Sequence, residues 1–249
     1  MFTKRTKERA TRPESGDIDP ATGLDPQRIA FLEQEYLKKP YILPPDVEAI
    51  MHEASDSVRM HVPSIACIVN VGGTANGSLA LRRLEGRKMG TDLDFYLVGH
   101  GAADPNVLSR ASTIVDRVAR ARGITLDGEL NGRRPTNYLN LDDVDAHIAN
   151  EDFNLLSLPF QSAFGDVVEA QRQILRDVVS RPDGQAVWDE IANYHIQSLS
   201  MHHGSWPTNF ANTISQQYYP QKIELFQLPV TPAEALITLQ SESRTSTDL

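Results

Sequence analysis

The chain is short of cysteine. Cys67 is the only one in 249 residues, so no intramolecular disulfide can form. A lone thiol inside an apolar, β-branched stretch reads as a small buried hydrophobe. That usage fits a reducing compartment, and the cytoplasm is the expected location. Long apolar runs are missing too: nothing approaches the roughly 20 apolar residues that a membrane-crossing helix needs. The basic amino-terminal stretch has no apolar core of a secretory signal, and no membrane partner is expected. Positive charge is scarce, with 24 Lys and Arg against 33 Asp and Glu and a formal net charge of -9. No extended nucleic-acid surface is therefore expected. With 40% hydrophobic and 23% charged residues, the composition is that of a globular protein long enough to bury a sizeable core.

Against these absences, residues 64–98 stand out. Ile65 to Val71 is an apolar, β-branched run that reads as a buried strand, and Gly72-Gly73 stops it abruptly. A second strand opens at Asp92. Side chains alternate along a strand, so Asp92, Asp94 and Tyr96 share one face and Leu93, Phe95 and Leu97 the other. With the apolar set in a core, both carboxylates point the other way, into a cleft. Two like charges on neighbouring same-face positions repel, and a divalent cation offsets that cost. Hard carboxylate oxygens suit magnesium, with manganese as an alternative, and a phosphate-bearing substrate completes the shell. The side-chain-free backbone of Gly72 and Gly73 can approach a phosphate closely and aim amide hydrogens at it. Arg87 and Lys88, in the following glycine-bracketed loop, are candidates to neutralise a triphosphate. Arg82, Arg83, Arg110, Arg117, Arg120, Arg122, Arg133 and Arg134 fall in the same third of the chain, which implies a positive cleft in an acidic protein, suited to a nucleoside triphosphate.

A strand ending in a glycine pair and followed by Asp-apolar-Asp-apolar resembles the polymerase-beta-type nucleotidyltransferase superfamily. Gly72-Gly73-Thr74-Ala75 with Thr91-Asp92-Leu93-Asp94-Phe95 is most similar to its abortive-infection-type nucleotidyltransferase toxins. The uridylyltransferases of nitrogen regulation are a more distant likeness. Eighteen residues separate Gly73 from Asp92, and thirteen would separate the alternative pair Gly77-Ser78 from it. The resemblance covers about a third of the chain. It implies an α+β fold: a nucleotidyltransferase-like mixed β-sheet flanked by helices, with N-terminal helices and a C-terminal helical region. It also implies transfer of a nucleoside monophosphate from a nucleoside triphosphate to a hydroxyl acceptor on a protein, a small molecule or an RNA end. Asp92 and Asp94 would hold two magnesium ions. Superfamily members commonly supply a third carboxylate from a further strand, and over 124–130 that role passes to Asp127, with Glu129 on the same face as substitute. Gly72, Gly73, Thr74 and Ser78 then fall on the phosphate-contacting side. The alternatives are a catalytically inactive nucleotide-binding regulatory module and a helical interaction protein.

Taken in order, residues 1–24 read as a disordered arm. Residues 25–152 form the core with its N-terminal helices, 153–240 a helical region, and 241–249 a disordered tail. Asp25-Pro26 and Asp104-Pro105 each pair an N-cap with a first-turn proline. The spacing predicts helices over 46–60, 104–122, 166–179 and 184–201, and the resemblance implies a short helix over 74–84, after the glycine turn. Phe153 to Phe160 is an apolar run that suits a last core strand or a buried connector. His202-His203-Gly204 reads as a helix end rather than a metal site.

Overall fold

A computed structural model describes residues 18–86, 93–102, 104–124, 138–200 and 208–245. The first helix, α1 (Pro26–Phe31), starts where Asp25 Oδ1 accepts the Arg28 N–H at 2.9 Å, and continues as a π-helical turn over Leu32–Tyr36. Residues 18–24 are not a free arm: Leu24 is fully buried, and the Asn209 side chain donates to the Gly23 carbonyl at 2.8 Å. The next helix, α2 (Pro45–His61), buries Val47, Ile50, Met51, Ala54 and Val58, a set that recurs at helical spacing along one face. It leads into β1 (Ile65–Val71), which ends as expected at the glycine pair.

The helix expected over 74–84 is two pieces, α3 (Gly72–Ala75) and α4 (Ser78–Leu84), separated at Asn76-Gly77. Gly77 has φ of +94°, a left-handed conformation that breaks the helical run. Next come β2 (Asp94–Gly99) and α5 (Pro105–Ala121), whose N-cap Asp104 accepts the Asn106 N–H at 2.8 Å. Leu108, Ala111, Ile114, Val115, Val118 and Ala119 form the buried stripe of α5 as the spacing requires. The strand expected over 124–130 lies outside the described residues except Ile124, which packs half-buried against the core and belongs to no strand. After it come β3 (Tyr138–Asn140), α6 (Val144–Ala149) and α7 (Phe153–Leu156).

The apolar run at 153–160 is thus helical turns, and the strand follows it, as β4 (Ser162–Gly165). Strand order is β3-β2-β1-β4. Antiparallel pairing joins β1 to β2 and to β4, while β2 and β3 run parallel. The sheet therefore draws on both sides of residue 152. The chain is α+β, with a four-stranded mixed sheet flanked by helices.

Each sheet face is covered. Leu93, Phe95 and Leu97 pack with α2 and α5 in one apolar cluster. Cys67, Val69 and Val98 pack on the opposite side with α8 (Val167–Ser180) and α9 (Gly184–Leu199), where Trp188 is fully buried and donates from Nε1 to the Pro229 carbonyl at 2.8 Å. Burial pushes the Cys67 thiol up to about 12, which leaves it a neutral hydrophobe. A third cluster joins α1, α4 and α10 (Thr208–Thr213), followed by a π-helical turn over Ile214–Tyr218 and α11 (Tyr219–Phe226). The last helix, α12 (Pro232–Thr245), runs into the stretch expected to be a disordered tail. Among the described residues no helix is long and apolar enough to cross a membrane.

Candidate functional site

The site is organised by the register of two strands. Val71, the last residue of β1, pairs with Asp94, the first of β2. Directly paired residues project to the same face, so Asp94 shares its face with Val71 and Tyr96, away from Leu93, Phe95 and Leu97. That is the orientation the alternation demands. Asn70 fixes the junction from below: it is fully buried, and its Nδ2 donates to the Asp94 carbonyl at 3.1 Å.

Gly72 follows Val71 with φ of +68°, and a Cβ built there would lie 2.9 Å from Asp94 Oδ2. The carboxylate rests on the bare glycine backbone, so any side chain at 72 is excluded twice, by the left-handed conformation and by the acid above it. Gly72→Ala is accordingly expected to cost about 1–2 kcal/mol of stability from the backbone alone and to push the carboxylate off the turn. Urea denaturation checks the first effect; an unchanged midpoint would contradict it.

Three side chains hold the turn in shape. Thr74 Oγ1 donates to the Val71 carbonyl at 3.1 Å and Ser78 Oγ to the Gly73 carbonyl at 3.0 Å, while Asn76 Oδ1 accepts the Ser78 N–H at 3.1 Å. The two glycine-containing pairs that compete in the sequence, Gly72-Gly73 and Gly77-Ser78, thus belong to one folded turn. Thr74 and Ser78, both buried, spend their hydroxyl hydrogens on the turn itself. They position the backbone rather than reach outward.

Val71 and Tyr96 line a cleft of 560 Å³ with Ser157 and Gln161, the two caps of the 158–160 turn, and with a helical wall at Tyr194 and Gln197 of α9. A recess of 180 Å³ shares Val71, Gln161, Gln197 and Ser198 with it and reaches Gly72 and Tyr41. At the base of the helical wall, buried His195 donates from Nε2 to the Phe226 carbonyl at 3.0 Å, which leaves Nδ1 to accept from the Tyr41 hydroxyl at 3.2 Å. Burial lowers the His195 pKa below the ordinary value, the backbone bond to Phe226 partly opposing it, and keeps the ring neutral. Burial raises the Tyr41 pKa, so its hydroxyl stays protonated; Ser198 Oγ sits 2.7 Å from it. The cluster is a rigid polar floor. Sequence reasoning missed these residues, since Tyr41 and His195 lie 154 positions apart. The available signal was the polar trio Tyr194, Gln197 and Ser198 at i, i+3 and i+4 on an otherwise amphipathic helix.

Asp92, Arg87, Lys88, Asp127 and Glu129 lie outside the described residues, as do Arg133, Arg134, His202 and His203. The structure therefore brings together Gly72, Gly73, Thr74, Ser78 and Asp94. Among the described residues there is no cluster of three or more His, Cys, Asp or Glu side chains that could hold a metal. Asp94, paired across the ladder with the cleft residue Val71, offers a hard anionic oxygen, the donor type that magnesium takes, and fits a cation site as one of its ligands. The expected positive cleft is not built by α5. Arg120 pairs with Asp116 and Arg122 with Glu53, while Arg110 and Arg117 face a groove between α2 and α5. Arg83, on α4, pairs with Asp46. No protein-family model matches the chain, and neither does any curated protein or solved structure.

Proposed function

We propose that the protein is a metal-dependent nucleotidyltransferase built on a nucleotidyltransferase-like core. It would move a nucleoside monophosphate from a nucleoside triphosphate to a hydroxyl acceptor on a protein, a small molecule or an RNA end. The observation that carries this reading is the Asp94 carboxylate over the left-handed Gly72, with Oδ2 2.9 Å from where a Cβ would stand, next to a recess that Gly72 lines. A carboxylate seated on a bare-backbone turn puts a cation ligand beside a surface that a phosphate can approach closely.

In this reading Asp94, with Asp92 and Asp127, would hold magnesium, which supplies charge neutralisation at the triphosphate. The Gly72-Gly73 backbone would seat the phosphates, and Arg87 and Lys88, ahead of β2 in the sequence, would add positive charge. Glu129, two positions after Asp127 in the sequence, would be its substitute. The acceptor oxygen attacks the α-phosphorus in line, a new P–O bond forms, the bond to the β-phosphate bridging oxygen breaks, and pyrophosphate leaves. The acceptor's proton passes to the Asp127 carboxylate. The Tyr41–His195–Ser198 floor fixes the helical wall against which base or acceptor packs. The test is pyrophosphate release from each ribonucleoside triphosphate with candidate acceptors. Release that needs magnesium supports the reading. Magnesium-dependent binding without turnover under any acceptor would favour the inactive regulatory module, and no binding at all would favour the helical interaction protein.

A further inference from the structure

The α2–α5 pair carries a groove of 580 Å³ on the outer side of the helical layer. Ser57 and His61 of α2 face Ser109, Arg110, Thr113 and Arg117 of α5 across it, and among the described residues no carboxylate lines it. Arg110 and Arg117 are seven residues apart, two helical turns, which places them on one face about 10 Å apart along the axis. Both are exposed, and neither makes a hydrogen bond or ion pair among the described residues. Every other arginine whose side chain the structure describes has a partner. On the same two helices Arg120 engages Asp116 through two bonds of 2.8 and 2.9 Å, and Arg122 crosses to Glu53. A chain with 33 acids and 24 bases has carboxylates to spare, yet it leaves these two guanidinium groups uncompensated side by side.

Guanidinium forks match phosphate oxygens in geometry as well as charge. The basic stretch is short: Asp104 caps the amino end of α5, and Glu53 stands towards the other end. A long polyanion would overrun it onto the Asp104 carboxylate at one end and the neutralised Glu53–Arg122 pair at the other, whereas a compact one fits within two turns. The groove is also remote from the glycine turn. Ile65 pairs with Gly99 at the opposite end of the β1–β2 ladder from Val71 and Asp94. His61 precedes that end and Asn106 follows it, so the groove begins about 20 Å of strand away from Gly72.

We infer that the α2–α5 groove is a second phosphate-binding site, which takes a small polyphosphate engaging Arg110 and Arg117 together. The site is independent of the transfer reaction and needs no cation. The experiment is calorimetric titration, in chelator, with inorganic tripolyphosphate, orthophosphate and a ten-nucleotide oligouridylate. The proteins are the full chain, Arg110→Ala/Arg117→Ala and Asp94→Asn. Tripolyphosphate should bind one to one to the full chain and equally to Asp94→Asn, and at least tenfold more weakly to the double arginine variant. Orthophosphate, which reaches one guanidinium only, should bind at least tenfold more weakly than tripolyphosphate. Both arginines are exposed, so circular dichroism of the double variant should match the parent. Absence of tripolyphosphate binding in chelator, equal binding by the double variant, or loss in Asp94→Asn would overturn the site. Tighter arginine-dependent binding of oligouridylate would assign the groove to a polynucleotide backbone and overturn the small-ligand occupant.

Discussion

Asp94→Asn is expected to lower magnesium-dependent pyrophosphate release by about a thousandfold or more, equivalent to about 4 kcal/mol of transition-state stabilisation. The thermal midpoint should move by no more than about 3 °C. The two parts of this expectation have different origins. Asparagine preserves the shape of the side chain above Gly72, and the strand pairing of Asp94 with Val71 is made by the backbone, so the junction survives. What the amide lacks is the anionic oxygen over the Gly72 turn, the one feature of Asp94 that a cation requires. Leu93 and Phe95, on the other face, are untouched in the core. Pyrophosphate release by a folded Asp94→Asn variant at the parental rate would remove Asp94 from the chemistry.

The second large effect concerns stability rather than turnover. Lys222 is fully buried, its Nζ has no hydrogen-bond partner among the described residues, and it lies 4.0 Å above the Tyr36 ring. Contact with the ring face offsets only part of the cost of dehydrating an ammonium. Burial takes the pKa from 10.5 down to about 7. Between those values the unfolded chain binds one proton more than the native one, so this residue makes stability rise with pH, by up to about 1.4 kcal/mol per unit, from about pH 7 to the ordinary lysine range. Below pH 7 both states carry the proton and the penalty is complete. Lys222→Met, of similar length and free of charge, should therefore stabilise the protein at pH 7 by about 1–4 kcal/mol. The gain should be about 2–3 kcal/mol smaller at pH 9 than at pH 7. Urea denaturation of both proteins at the two pH values measures it as a double difference, in which all other titrating groups cancel. Identical gains at both pH values would show that Lys222 is not neutralised by burial.

How much of this was legible in the sequence depended on how local each feature is. The end of β1 was readable because a seven-residue run with four β-branched residues, Ile65, Ile68, Val69 and Val71, meets two glycines. The orientation of Asp94 followed from alternation alone. The caps at Asp25 and Asp104 are likewise local, each a carboxylate accepting a backbone N–H two or three residues on. By contrast, β4 escaped notice because Ser-Ala-Phe-Gly carries no β-branched residue and is only four residues long, and its strand character comes from pairing with β1. The split between α3 and α4 turns on the positive φ of Gly77, which a helical window averages away. The cleft floor could not be read at all, since Tyr41, His195 and Phe226 meet only through tertiary packing. The arginines of α5 mislead in the opposite sense. Counting them by region suggests a positive cleft, whereas their helical phase puts Arg110 and Arg117 on the face turned from the core and two others against acids.

The central claim is that the Gly72 turn and Asp94 together bind a nucleoside triphosphate through magnesium. Its most direct test is calorimetric titration of each of the four ribonucleoside triphosphates into the Arg110→Ala/Arg117→Ala background, which silences the remote groove, with magnesium and with chelator, and again after adding Asp94→Asn. Magnesium-dependent binding of at least one triphosphate, lost or weakened at least tenfold with Asp94→Asn, is the predicted result. Binding that is indifferent to magnesium and to Asp94, or no binding by any of the four, would contradict it.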